Sequence, residues 1–119
     1  MRRDYRLYLE DIVEAAEKIQ NYSAGMNYDS FAADSKTVDA VVRNLGIIGE
    51  AVRNLPEEIK TKSGVDDLEW KKIIAFRNIV IHQYFGVDIE ATWDVVEKDI
   101  PELKAKILEI QEELHGGIK

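Results

Sequence analysis

The sequence has 119 residues, of which 23 are acidic and 16 basic, so its formal net charge at neutral pH is −7. This length predicts a single domain, residues 1–119, with enough apolar surface to bury a core without cross-links. The absence of cysteine excludes disulfides, a thiolate nucleophile and cysteine-ligated zinc. No uncharged apolar run approaches the ~18 residues of a membrane span, and the first residues lack a signal-peptide pattern. We therefore expect a cytoplasmic protein that makes no membrane contact.

The first half of the chain predicts two long amphipathic helices. Apolar side chains recur at intervals of three and four over residues 5–22 and again over residues 38–55. Residues 23–25, with the sequence Ser-Ala-Gly, end the first of these helices. The polar residues that follow, up to about Ser35, predict a loop between the two helices.

The second half of the chain predicts a short helix followed by two longer ones. Pro56, with two glutamates after it, is typical of a helix start, and Gly64 closes the short helix. Asp66 and Glu69 resemble a capping box, which opens a helix that we expect to run as far as Gly86.

The last helix is predicted to begin at Asp88 and to end at Gly116 and Gly117, with a kink or restart at Pro101. Its apolar side chains continue at helical spacing over residues 89–114. Four main helices with short connections predict an all-α fold, an antiparallel bundle of four to five helices.

Charge is unevenly distributed along this chain. No acidic residue occurs from Trp70 to Val87, a stretch that carries three positive charges at Lys71, Lys72 and Arg77. Because the whole chain carries −7, the remainder carries −10. A phosphate-bearing ligand is expected to be attracted to this stretch, although a buried helix would also lack acidic residues.

The segment from Asn78 to Phe85 is rich in strand-forming residues, so a lone strand is an alternative there. We prefer a helix, because five side chains continue at alternating intervals of four and three and no turn residue precedes Gly86. These side chains are Trp70, Ile74, Arg77, Ile81 and Tyr84. Phe76 and Ile79 point to the opposite side, so the predicted helix is apolar almost all round. Such a helix is buried by its own bundle or by another chain.

An arginine within an apolar stripe needs a carboxylate partner, a hydrated cleft or a ligand. Arg77 occupies such a position in the predicted helix. Asn78 and His82 are four residues apart and share another face with Lys71, so Asn78 is placed to orient the imidazole. The alternative is a structural ion pair for Arg77 and a histidine with ordinary hydrogen-bond partners.

The phrase from Arg77 to Tyr84 reads Arg-Asn-Ile-Val-Ile-His-Gln-Tyr, an R-x4-H-x-Y pattern. It resembles the active-site signature of HEPN-domain proteins. More narrowly, it is similar to that of the HepT toxins, which are encoded beside a minimal nucleotidyltransferase antitoxin of the MntA type. The resemblance covers nearly the whole chain, with matching residues in the family's order and approximate spacing. These further residues are Ile48-Gly49-Glu50-Ala51, Leu55-Pro56, Trp70, Val87-Asp88 and Trp93.

The resemblance implies a homodimer that acts as a metal-independent endoribonuclease, with the R-x4-H residues in a cleft at the dimer interface. Histidine is suited to proton transfer at neutral pH, and a guanidinium matches two phosphate oxygens at once. We expect His82 to be the acid–base, Arg77 the transition-state clamp, and Asn78 an orienting group or phosphate donor. Lys71 and Lys72 are expected to guide RNA electrostatically. No cofactor or metal is expected.

Tyr84 has two possible roles. Its position in the apolar stripe predicts an aromatic anchor. The resemblance implies a toxin of a toxin–antitoxin pair, in which the cognate nucleotidyltransferase antitoxin silences the toxin by transferring AMP to the hydroxyl of Tyr84. AMP adds negative charge and bulk beside the RNA phosphate, and both would exclude the substrate.

A regular helix poses a geometric difficulty for this site. Five residues turn the helix by about 500°, which places Arg77 and His82 about 140° apart and roughly 7.5 Å along the axis. The arginine could curl round, the helix could loosen before Gly86, or two copies of the chain could supply complementary residues. The apolar helix and the family resemblance both favour the last option.

Four other groups of residues are weaker candidates for a site. Glu112 and His115 form a single Glu-x-x-His unit, for which an interaction of His115 with the helix dipole is preferred to metal binding. Gly46 and Gly49 lie inside a periodic helix, where close packing is preferred to a phosphate loop. Three charged residues lie near one stripe of that helix, and surface ion pairs are their default role. These are Asp39, Arg43 and Glu50. The position of Glu50 matches the family pattern, so a place beside the catalytic cleft is an alternative for this residue. The scattered tyrosines at positions 5, 8, 22 and 28 form no stacking platform.

Three functions remain open on the sequence alone. The first is a ribonuclease toxin, favoured because Arg77, His82 and Tyr84 are all present. The second is a non-catalytic HEPN adaptor or nucleotide-binding module for a nucleotidyltransferase. The third is a helical scaffold subunit.

Overall fold

The computed structural model describes residues 4–82 and 86–116, and it is helical apart from one pair of two-residue strands. Its elements in chain order are α1 (Tyr5–Ser23), α2 (Tyr28–Ala32), α3 (Ser35–Arg53), α4 (Glu57–Lys62), α5 (Asp67–Ile74), α6 (Phe76–Val80), β1 (Ile81–His82), β2 (Gly86–Val87), α7 (Ile89–Asp94), a π-helical turn (Val95–Asp99) and α8 (Ile100–Gly116). No helix within the described ranges is long and apolar enough to cross a membrane.

The bundle is built around α1, which packs against α3 on one side and α8 on the other. α5 and α6 then pack on α3, and α7 closes the far side against α6. The all-α bundle predicted from the sequence is confirmed. The largest side chains that are fully buried are Phe31, Phe76, Leu9, Ile12, Ile19, Leu45, Ile48, Ile100 and Ile107.

The two long N-terminal helices form as predicted, and local signals fix their ends. Asp4 caps α1, and Gly25 leaves that helix with φ of 75°, in the left-handed region that glycine tolerates. Asp34 caps α3 by accepting a hydrogen bond from the Thr37 amide at 3.1 Å. The Thr37 hydroxyl also donates to this carboxylate, and these two bonds lower the pKa of Asp34.

The loop predicted between α1 and α3 contains the short helix α2, so that prediction was wrong in part. Asn27 and Ser30 form a reciprocal capping box at its start. Phe31 is fully buried, and its ring lies 4.9 Å from the ring of Trp93. One aromatic side chain therefore anchors an otherwise polar connection to the core.

The helix predicted from Asp66 to Gly86 is broken, which corrects the sequence interpretation. α5 ends at Ile74, and the Ala75 amide donates to carbonyls of the preceding turn. After the five-residue α6 the chain becomes extended, and Ile81 pairs with Val87 while His82 pairs with Gly86. The strand alternative is therefore correct for residues 81–82 alone, where the β-branched Ile81 favours extended backbone.

The buried face of this segment also differs from the predicted stripe. The side chains that enter the core are Trp70, Ile73, Phe76 and Val80. Arg77 and Asn78 are exposed, and Ile79 keeps 39% of its surface exposed, so within one chain the segment is not apolar all round. The break at Ala75 shifts the register, because residues on its two sides no longer follow one helical wheel. Tyr84 lies outside the described residues.

The last helix has the irregularity expected near Pro101. Asp88 caps α7 by accepting from the Ala91 amide at 3.0 Å, as predicted. The π-helical turn follows, in which the Ile100 amide donates to the Val95 carbonyl five residues back. Pro101 has no amide hydrogen, so it interrupts the ladder of helical hydrogen bonds close to this turn.

Candidate active site

A groove of about 850 Å³ runs along the surface of α3, with α1 on one side and the junction of α5 and α6 on the other. Its lining combines apolar side chains, such as Val42 and Ile47, with six charged ones. The charged residues are Asp11, Asp39, Arg43, Glu50, Arg53 and Arg77. Three acidic residues and three arginines line the groove, so the charge that it presents to a ligand depends on which of them form ion pairs.

Arg77 lies in this groove rather than in an apolar stripe. Its Cδ is 3.7 Å from the place that a Cβ on Gly46 would occupy, so the side chain lies directly over that glycine. The residue is exposed, and it forms no ion pair with any side chain in the described ranges. Its guanidinium is therefore available to an anion that enters the groove.

The approach of α3 to the α5–α6 junction depends on glycine. A Cβ at Gly49 would lie 2.8 Å from the main-chain oxygen of Ile74, which is closer than side-chain carbons come in proteins. Gly49 itself is buried. This geometry fits the interpretation of Gly49 as a close-packing position, whereas a Cβ at Gly46 would meet only an ordinary contact of 3.7 Å. Both glycines lie on the groove side of α3.

Asn78 follows Arg77 on α6 and lines the same groove with an exposed side chain. His82 lies two residues beyond the end of α6, in the extended strand β1. Its side chain is outside the described part of the structure, and so is Tyr84. Because the helix ends at Val80, the separation of 140° expected on a regular helix does not apply to Arg77 and His82.

Lys71 and Lys72 do not line the groove; each forms an ion pair elsewhere. Lys71 pairs with Asp67 at 3.2 Å on the exposed side of α5. Lys72 donates to Asp99 in the π-helical turn at 3.2 Å, and this contact raises the pKa of Lys72. Their expected role in guiding RNA remains a prediction, now with an acid beside each of them.

The structure places Asp39, Arg43 and Glu50 in the groove with Arg77. An ion pair of 3.7 Å joins Glu50 to Arg53, as the surface interpretation expects for Glu50. Neither Asp39 nor Arg43 has an ion-pair partner among the described residues. The helical spacing of these residues indicated a shared stripe on α3, but only the packing of α6 shows that the stripe faces Arg77.

Across residues 4–82 and 86–116, no group of three or more histidine, aspartate or glutamate side chains is arranged to hold a metal ion. The side chain of His115, which belongs to the Glu-x-x-His unit, lies outside the described part.

The fold is a helical bundle, and its groove contains the arginine of an R-x4-H segment. This combination defines a class of helical proteins, and comparison of the sequence with known families identifies it. Residues 12–110 match the family described as "Ribonuclease HepT-like". This chain belongs to that family, a branch of the HEPN superfamily, as the sequence motif predicts.

Curated relatives carry ribonuclease names. The chain is 42% identical over 106 residues to "Probable ribonuclease HepT" of Thermococcus cleftensis, an alignment that covers 89% of this chain and 94% of the relative. It is 38% identical over 115 residues to a "Putative RNase" of Methanocaldococcus jannaschii, covering 97% of this chain and 93% of that protein.

A third relative is a longer protein. It is the M. jannaschii protein named "Gamma-glutamylcyclotransferase and putative RNase", which is 46% identical over 114 residues. The alignment covers 96% of this chain but only 50% of the relative, so this chain spans half of its length. No solved structure matches the chain.

Proposed function

We propose that this protein is a metal-independent endoribonuclease with Arg77 and His82 as its catalytic residues. The observation that carries the proposal is the exposed Arg77, which forms no ion pair with the described residues and lies over Gly46 in a groove. It is followed by His82, in a chain of the HepT-like ribonuclease family. The substrate is RNA, because the 2′-hydroxyl supplies the nucleophile that metal-free cleavage needs.

The chemistry requires one proton to be removed and another to be delivered. The 2′-hydroxyl loses its proton to a base and attacks the adjacent phosphorus, while the bond from phosphorus to the 5′ oxygen breaks and that oxygen gains a proton. His82 supplies this acid–base function, since imidazole titrates near neutral pH. Arg77 stabilises the charge that develops on the phosphate oxygens, and Asn78 orients the imidazole or donates to the phosphate. No step uses a cofactor.

The test is incubation of the purified chain with total RNA and with tRNA in the presence of EDTA. Cleavage is expected to survive the chelator, and His82→Ala and Arg77→Ala are each expected to reduce it by ~10²–10⁴-fold. Lys18→Ala is the matched control, because Lys18 pairs with Glu14 on α1 and does not line the groove. Folded variants of Arg77 and His82 that cleave RNA at the rate of Lys18→Ala would contradict the assignment.

The proposal includes an isologous homodimer with the catalytic cleft at its interface. Ile79 on α6 and Ile47 in the groove are large apolar side chains that stay about 40% exposed in one chain, which supports burial by a second copy. Light scattering at micromolar concentration is expected to give twice the mass of the chain. A strictly monomeric protein would contradict both the dimer and the shared cleft.

The biological role proposed is that of a toxin in a toxin–antitoxin pair, silenced by AMP transfer from a partner nucleotidyltransferase to Tyr84. The support is the R-x4-H-x-Y pattern, in which Tyr84 follows His82 by two residues. The alternative is a non-catalytic adaptor or nucleotide-binding module. A wild-type chain that binds nucleotides but leaves every RNA intact would favour that alternative.

A further inference from the structure

Arg43 is a second arginine in the groove that holds Arg77. It is exposed, lines the groove, and pairs with no acid that the structure describes. The third arginine of the groove, Arg53, differs from it because it forms an ion pair with Glu50 at 3.7 Å. Two cations of the groove, Arg43 and Arg77, thus remain without a carboxylate partner in the described part of the chain.

The side chain of Arg77 lies over α3 about one helical turn from Arg43. Arg43 precedes Gly46 by three residues, so the two lie on one face of α3 about one helical turn apart, roughly 4.5 Å along the axis. The Cδ of Arg77 lies over Gly46 itself. Because residue 46 has no side chain, nothing from that position rises between the two guanidiniums.

Two arginines along one groove suit a ligand with repeated negative charges, and single-stranded RNA carries one phosphate per nucleotide. We propose that Arg43 is a substrate-positioning residue, which holds a phosphate next to the one that Arg77 engages and so fixes the register of the RNA along α3. The inference rests on the proposed function, because it takes RNA as the ligand of the groove. A positively charged groove that follows the backbone is the usual means of holding a single strand.

Asp39 lies at the end of the proposed RNA-binding surface on α3, beyond Arg43. It lies four residues before Arg43 on α3, lines the same groove and has no ion-pair partner in the described ranges. Its carboxylate repels a phosphate that would continue beyond Arg43. Removal of the two charges should therefore change RNA affinity in opposite directions, which a merely structural role for this part of α3 would not produce.

The experiment measures binding separately from cleavage. The full-length chain is titrated into a fluorescein-labelled, fully 2′-O-methylated RNA of 20 nucleotides, which lacks the attacking hydroxyl, and anisotropy is recorded at several KCl concentrations. Arg43→Ala is expected to weaken binding about tenfold. It should also make the slope of log affinity against log salt shallower by about 0.7, the value for one lost phosphate contact with a single strand. Asp39→Asn is expected to tighten binding, and Lys18→Ala to leave it unchanged.

Cleavage of unmodified RNA completes the test. For Arg43→Ala we expect a higher KM and altered cleavage sites, with Arg43→Lys recovering much of the affinity. Suppose that the wild type cleaves RNA, and that Arg43→Ala and Lys18→Ala bind RNA with equal affinity and equal salt slopes. This result would overturn the role of Arg43 and leave the proposed nuclease function unaffected. A wild type that neither binds nor cleaves RNA would overturn both. A loss of oligomeric mass in Arg43→Ala, measured by light scattering, would instead assign Arg43 to a contact between protein subunits.

Discussion

A Cβ on Gly49 would lie 2.8 Å from the main-chain oxygen of Ile74, so α3 reaches the end of α5 only because residue 49 has no side chain. The same helix face carries Gly46 one turn earlier, where a Cβ would meet the Cδ of Arg77 at an ordinary 3.7 Å. We therefore expect position 46 to tolerate a larger side chain and position 49 not to, although both glycines lie inside one helix and face one groove.

The first prediction compares alanine at these two positions. Gly49→Ala forces a side-chain carbon against the main-chain oxygen of Ile74, and a clash of this kind in a packed interior costs about 1–3 kcal/mol of unfolding free energy. Gly46→Ala meets only ordinary contact and gains up to about 1 kcal/mol, because alanine loses less backbone entropy in a helix. Urea unfolding of the two variants and the wild type measures both effects. A Gly49→Ala protein as stable as Gly46→Ala would contradict the close approach.

The long helices could be predicted from sequence because their apolar spacing repeats over five turns and their caps are local. The break at Ala75 could not. Side chains at 70, 74 and 81 continue one helical stripe, while those at 70, 73, 76 and 80 continue another, so periodicity alone did not choose the buried set. No glycine or proline marks the break, and its position follows from the packing of α5 and α6 on α3.

The site shows the same division between local and tertiary information. The R-x4-H motif by itself singles out Arg77 and His82, and the acid-free stretch around them points the same way. The placement of Asp39 and Arg43 in the same groove depends on packing between segments more than thirty residues apart. The missed helix α2 was detectable, since Asn27 and Ser30 have capping-box spacing just before the buried Phe31.

The second prediction concerns a cleft shared between two copies of the chain. Inactive Arg77→Ala and His82→Ala proteins, mixed and allowed to exchange subunits, are expected to recover part of the wild-type activity, because a mixed dimer can assemble one cleft with both native residues. RNA cleavage after mixing is compared with that of each variant alone. If the two residues act within one chain, mixing will give no more activity than the sum of the separate variants.

The third prediction concerns modification of Tyr84. If the proposed partner exists, co-expression of this chain with that nucleotidyltransferase is expected to add one or more AMP units to the peptide that contains Tyr84. Tyr84→Phe should remain unmodified and toxic, because it lacks the acceptor hydroxyl.

Intact-mass and peptide spectra measure this result. Tyr22→Phe, which removes the hydroxyl of an exposed tyrosine at the end of α1, is the matched control and should still accept AMP. Adducts on another residue, or none at all, would disprove the switch without affecting the nuclease proposal.

The fourth prediction separates two neighbouring lysines by their partners. Lys72→Ala removes an ion pair that joins α5 to the π-helical turn, whereas Lys71→Ala removes one within α5. Lys72 is half exposed, so we expect a loss of only about 0.5–1 kcal/mol at neutral pH, and less for Lys71→Ala.

The pH dependence of that difference has a definite sign. Asp99 raises the pKa of Lys72 in the folded state above the unfolded value of about 10.4, so the stabilisation is complete below that pH. It is lost as the pH rises through the folded-state pKa. Urea unfolding at pH 7 and above pH 11 measures this loss. A difference between wild type and Lys72→Ala that persists unchanged at the higher pH would contradict the ion pair as its source.

The π-helical turn before Pro101 couples the length of the last helix to the identity of one residue. A π-turn holds one residue more than an α-turn, and Pro101, which cannot donate a main-chain hydrogen bond, follows this turn by two residues. Deletion of one residue from Val95–Asp99 would convert the π-turn to a regular α-helical turn, in which the ring of Pro101 clashes with the carbonyl four residues earlier. With alanine at position 101 this clash would be absent. We expect the deletion to cost more stability when residue 101 is proline than when it is alanine, so the effects of the two changes are not additive. Homologous sequences that lack the proline should therefore also be shorter here by one residue.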